Sequence, residues 1–113
     1  MTDLKDFKAL ADSIREQYFN TIISDVNDHV VRMSIMTDSY PWHYHPNSDE
    51  TFIGVEGTVI VETENSLFEL TPGCCITIPR NVVHKTRPKE KRSVNLTVES
   101  RNMETVNVNP EQG

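Results

Sequence analysis

The spacing of apolar residues changes once along this chain, dividing it into a short helical opening and a long extended remainder. Leu4, Phe7, Leu10, Ala11, Ile14 and Tyr18 recur mostly at steps of three and four, which places them on one face of a helix. Asp3 stands where an N-cap is needed, so the pattern predicts an amphipathic helix from there to near Tyr18. Past it the period falls to two. Thr21, Ile22 and Ile23 form a short extended piece and Asn27-Asp28 marks a turn. Residues 30–36 then set Val31, Met33 and Ile35 against Val30, Arg32, Ser34 and Met36. Further strands are expected over residues 52–56 and 58–61, with a tight turn at Glu56-Gly57, and over 67–70 and 74–78, the last ended by Pro79. Residues 82–86 are extended, and 105–108 form a last short strand. In the clearest half-buried strand, Val94, Leu96 and Val98 alternate with Asn95, Thr97 and Glu99. Many short strands joined by turns predict an all-β antiparallel sandwich or barrel with a peripheral N-terminal helix. The expected layout is a helix in residues 1–19, a β-barrel over 20–109 and a polar tail at 110–113.

Composition narrows the function classes. A chain of 113 residues suits one domain with a real core. Its formal charge of -6 argues against nucleic acid as a partner. No apolar run approaches the length that crosses a bilayer, and the opening segment is charged and amphipathic, unlike a signal peptide. A cytoplasmic setting is therefore expected, with no membrane partner. Cys74 and Cys75 are adjacent, so on a strand they point to opposite faces, and they fit no CxxC pattern. Both read as small core or surface residues.

The candidate chemistry lies in His43-Tyr44-His45-Pro46-Asn47-Ser48-Asp49-Glu50 and in His84. Pro41 and Pro46 bracket the histidine pair and exclude a regular helix there. A spacing of two sends both imidazoles from the same face of a strand, whereas in a helix it would splay them by about 200 degrees. The polar loop after Pro46 lets the chain turn and return the Glu50 carboxylate, and His84 supplies a fourth ligand from a separate strand. Imidazole nitrogens with a carboxylate suit one divalent transition metal such as Fe, Mn, Ni or Zn. His29, beside the Asn27-Asp28 turn, reads as a surface or structural residue.

These residues resemble the paired motifs of the cupin superfamily. The first motif is matched by His43, His45, Glu50 and Gly57, the second by Gly73, Pro79 and His84, with fifteen residues between Gly57 and Gly73. Thr37 stands where the first motif opens with glycine, Asn81 replaces the glycine after Pro79, and Pro88 replaces an asparagine. None of these departures removes a ligand. The resemblance implies a cupin-like jelly-roll barrel and a metal site, with dioxygenase-like or isomerase-like chemistry and a homodimer among the family's habits. Glu50 is then both ligand and candidate catalytic base. A non-catalytic module that captures a small ligand on a metal anchor is the alternative.

Other residues bear on a small-molecule ligand. Strand parity turns Trp42 and Tyr44 away from the histidines, toward packing or an interface. Phe52 shares the parity of Glu50 and is a candidate for the substrate wall. Arg80, Lys85, Arg87, Lys89, Lys91 and Arg92 form a basic segment broken only by Glu90. Arg80, just after Pro79, is its candidate for drawing an anionic substrate to the cavity.

Overall fold

A computed structural model describes residues 2–109; the polar tail expected at 110–113 lies outside the described residues. Ten strands form two five-stranded antiparallel sheets. In chain order they are β1 (Tyr18–Val26), β2 (His29–Met36), β3 (Tyr40–Tyr44), β4 (Glu50–Glu56), β5 (Val59–Thr63), β6 (Leu67–Leu70), β7 (Cys75–Ile78), β8 (His84–Pro88), β9 (Ser93–Ser100) and β10 (Val106–Asn107). The first sheet runs β1-β2-β9-β4-β7 and the second β10-β3-β8-β5-β6.

The connection at Gly57 corrects one expectation. The tight turn at Glu56-Gly57 does not close a hairpin, because β4 pairs with β7 and β9 while β5 pairs with β6 and β8. Gly57 instead carries the chain from one sheet to the other. Its φ of 65° is left-handed, and a Cβ there would lie 2.4 Å from the Arg92 carbonyl oxygen, so only glycine fits.

The opening helix, α1 (Phe7–Asp12), is shorter than the apolar spacing predicts and begins later. Asp6, not Asp3, is its N-cap, its side chain accepting from the Ala9 N–H at 3.1 Å. The helix stops at Ser13, and Tyr18 belongs to β1, where it pairs with Met36. Six residues gain few internal hydrogen bonds, so the segment from Tyr18 onward does better by adding to the sheet. Of the residues at helical spacing, Leu4 is fully exposed, Tyr18 is covered from β1 against a different cluster, and Phe7, Leu10, Ala11 and Ile14 pack together.

Those four residues pack with Ile23, Met33, Ile35 and Val94 on the outer face of the first sheet. Arg92 fastens this layer: its guanidinium donates to Glu56 at 2.7 and 2.9 Å and to Asp12 at 3.0 Å. A second apolar cluster, Met36, Phe52, Val59, Val61, Leu70 and Ile78, fills part of the space between the sheets. The other buried residues are mostly polar, with Val30 and Ile60 as apolar exceptions.

Candidate metal centre

Pairing of β3 with β8 sets His43 directly opposite His84, with ring centroids 4.2 Å apart. His45 leaves the same face two residues on, just past the end of β3, its ring centroid 4.9 Å from that of His43. Glu50 opens β4 in the other sheet, so the cluster bridges both sheets. One ligand atom from each of the four residues can be chosen such that all lie within 4.8 Å of one another. All four side chains are buried, His84 completely.

The loop between His45 and Glu50 is held by its own polar residues. Asn47 accepts from the Glu104 N–H at 2.8 Å and donates to the Asn102 carbonyl at 2.9 Å. The Ser48 hydroxyl accepts from the Ser100 N–H, and the Asp49 carboxylate accepts from the Arg80 N–H. The Asn81 N–H donates to the His45 carbonyl at 2.9 Å, joining the two halves of the cluster. Asn81 does so at a φ of 69°, a left-handed conformation that asparagine tolerates where glycine is absent.

Each ring is oriented from behind. Nδ1 of His43, His45 and His84 faces the carbonyl of Pro41, Glu104 and Val82 at 2.7, 3.0 and 2.9 Å. A carbonyl only accepts, so Nδ1 is the donor and Nε2 is left to the cluster. Glu50 Oε1 lies 3.2 Å from His45 Nε2 and 3.3 Å from His84 Nε2. Despite that short distance, His45 Nε2 is buried and makes no aligned hydrogen bond. Three imidazoles, a carboxylate and a buried nitrogen lacking an aligned partner fit a divalent metal, so this group could hold one.

At His43 and Glu50 the electrostatics agree with that chemistry. Burial, then the neighbouring His84, lowers the pKa of His43 to about 4. Burial would also lower His45, but the adjoining Glu50 carboxylate outweighs it and the pKa rises. Burial would raise Glu50; His45 and His84 overcome it and hold the carboxyl well below its ordinary value. His43 is thus neutral and Glu50 ionised, the states that bind a metal.

His43, His45 and Glu50 form part of the wall of a cavity of about 320 Å3 between the sheets, with His84 buried outside its lining. Tyr40 stands edge-on to His43, and Phe52 edge-on to His84 at 6.0 Å between centroids. Phe52, Met36 and Tyr40 line the cavity, whereas Arg80 does not: its side chain is 61% exposed and lies 3.8 Å from Asp49. The basic segment is largely paired with acids, Lys85 and Arg87 with Glu62, Lys89 with Glu69, and Arg92 with Asp12 and Glu56. Trp42 faces outward, under the Lys85 ammonium at 4.9 Å. His29 is exposed beside Asp28, and Cys74 and Cys75 are both exposed.

Among the cavity residues that the sequence does not single out are Arg32, Asn95, Thr97 and Glu99. They form the polar face of β2 and β9, with Arg32 opposite Thr97 in register. Asn95, Thr97 and Glu99 are buried more deeply than Leu96 and Val98 on the other face. Burial, then the charge of Glu50, pushes the Glu99 carboxyl up to about 7. The sequence signal was present as parity: alternation identified the two faces but not which one turns toward the barrel interior.

The Cupin domain family matches residues 29–98, a segment that contains all four clustered residues. The chain is a cupin. The Bacillus subtilis protein YdbB, described as uncharacterised, is 39% identical to this cupin over 107 residues, covering 94% of each chain. A cupin-2 domain protein from Shewanella frigidimarina is similar in structure, with a TM-score of 0.79 and 26% identity across 87% of this chain and 95% of its own. A DMSP lyase from Ruegeria pomeroyi shares the fold at a TM-score of 0.73 and 19% identity, over 84% of this chain and 53% of the lyase. No helix among the described residues is long and apolar enough to cross a membrane.

Proposed function

We propose that this cupin is a metal-dependent enzyme acting on a small organic substrate held in the barrel, by dioxygenase-like or isomerase-like chemistry. The observation that carries the reading is position: three of the four clustered residues, His43, His45 and Glu50, line the cavity, while the fully buried His84 does not. A group with an open side suits catalysis, whereas a structural site is closed by protein on every side. The DMSP lyase shows that an enzyme can be built on this fold.

A bound divalent metal would polarise a substrate oxygen and, if redox-active, bring substrate and dioxygen together. The chain's residues do the rest. Three backbone carbonyls hold the imidazoles, and Phe52, Met36 and Tyr40 give one side of the substrate an apolar and aromatic wall that limits water. Glu50 is a ligand and the catalytic base, its carboxylate kept ionised by the adjoining histidines. Arg32, the cation of the cavity lining, is charge-paired with Glu99, so an anionic substrate group is directed to the metal instead. Arg80 supports the site through the loop it shares with Asp49.

Elemental analysis after mild purification tests the first half of this reading, with about one divalent metal per chain expected for a four-ligand site. Absence of metal, with none rebound on titration, sinks it. A screen of small acids, sugars and diketones then reads turnover. Oxygen uptake identifies the dioxygenase-like branch, and product without oxygen uptake the isomerase-like one. Bound metal with no turnover favours the alternative of a metal-anchored binding module, a reading consistent with both cysteines lying outside the cavity lining.

A further inference from the structure

The wall of β9 that looks into the cavity ends in atoms without aligned partners. Asn95, Thr97 and Glu99 are 1%, 3% and 2% exposed. Asn95 Oδ1, Thr97 Oγ1 and both carboxylate oxygens of Glu99 are buried with no aligned hydrogen bond. Arg32 Nε lies 2.9 Å from Glu99 Oε2, a charge pair by distance, but its N–H does not point along that line as a hydrogen bond requires. The other end of the Arg32 guanidinium donates to Asn20 at 3.1 Å, and Asn20 donates in turn to Ser34. Buried polar groups are ordinarily satisfied, by protein, by water or by a ligand.

From this juxtaposition we infer that Asn95, Thr97 and Glu99 form a recognition wall for hydrogen-bond donor groups, hydroxyl or ammonium, on a ligand whose other end meets the histidine cluster. The inference rests on the metal-site reading above and adds the chemical class of the ligand. The wall begins beside the cluster at Glu99 and runs away from it through Thr97 to Asn95. Phe52 and Thr97 are cross-strand partners, as are Thr51 and Val98, so one step further along the ladder brings Glu99 beside Glu50. The cavity of about 320 Å3 holds a chain or ring of sugar size. A purely apolar ligand would leave these acceptors buried and unpaired, and a second carboxylate on the ligand would face Glu99. Hydroxyls or an ammonium satisfy the wall without either penalty.

Three six-carbon acids separate the possibilities by isothermal titration calorimetry on zinc-loaded protein: hexanoate, gluconate and 6-aminohexanoate. Each brings one carboxylate to the metal; only the last two bring donors along or at the end of the chain. At least one of them should bind about ten-fold tighter than hexanoate, the scale of a few net hydrogen bonds. A preference for gluconate identifies hydroxyls, and a preference for 6-aminohexanoate identifies an ammonium. Gluconate also carries a hydroxyl next to its carboxylate that can reach the metal, so the variants decide. Thr97→Val and Glu99→Gln should each keep full zinc stoichiometry and lose most of the preference. Equal binding of all three acids by zinc-loaded wild type overturns the wall, as does an undiminished preference in Thr97→Val. Failure of the wild type to hold zinc overturns the metal-site reading itself, and is told apart by elemental analysis of the same sample.

Discussion

The two ends of the barrel interior meet the problem of burial in opposite ways. One end is filled by Val59, Val61 and Leu70, which need no partners and contribute by leaving water. The other holds His43, His45, Glu50, His84, Asn95, Thr97 and Glu99, all buried, several with atoms that no aligned partner meets. One strand supplies both: β4 carries Glu50 and then Phe52 of the apolar cluster. The apolar end can therefore be read as the part that holds the fold, and the polar end as the part that the fold has to support.

Substitutions placed at each end should separate these roles. Val61→Asp puts an unpaired charge among fully buried side chains and should destabilise the protein by more than about 4 kcal/mol, read by urea denaturation. A stable, folded Val61→Asp protein would erase the contrast. His84→Ala should leave the fold largely formed yet weaken zinc binding by more than about 100-fold, since disturbing even an outer partner of such a ligand costs roughly 10–100-fold. Unchanged calorimetric affinity would remove His84 from the site.

The Glu99 carboxyl gives a pH dependence of defined sign in the metal-free protein. Its pKa is raised from 4.5 to about 7 on folding, so the folded state holds the proton more tightly than the unfolded state. The resulting stability is present below pH 4.5 and is lost as pH rises through about 7. Glu99→Gln should flatten that part of the stability curve and raise the melting temperature at pH 8 more than at pH 5. A parallel shift at both pH values would reject the assignment. The smallest effect is expected outside the barrel. Arg92→Ala frees the partly exposed clamp between Asp12 and Glu56 and should cost about 1 kcal/mol or less. Hydrogen exchange should speed in α1 and stay slow in β5; equal loss of protection in both would show that the outer layer is not separable.

The sequence carried the strands well, because alternation survives in β2 and β9 and turn residues mark most ends. The four clustered residues were legible for a related reason: a spacing of two and a polar loop constrain where side chains go. The helix was read too long because a 3.6-residue spacing through Tyr18 does not register the competing gain from pairing Tyr18 with Met36. Sheet membership at Gly57 was hidden because a turn residue does not reveal whether its flanking strands pair with each other. Glu99 was missed for the subtlest cause. In β9 the apolar face packs under the helix and the polar face lines the barrel, so both sides are covered and the usual link between polarity and exposure fails.

The three carbonyls behind the histidines have a kinetic consequence. Pro41, Glu104 and Val82 fix each neutral ring as the Nδ1–H tautomer before any metal arrives. Ring flips and tautomer exchange are thereby removed from the loading step, and little side-chain entropy remains to be lost. Nitrogen NMR of the metal-free protein should show that single tautomer at His43. Loading should then be governed by how fast an ion reaches the cavity, and swapping one divalent ion for another should leave the imidazole frame where it was.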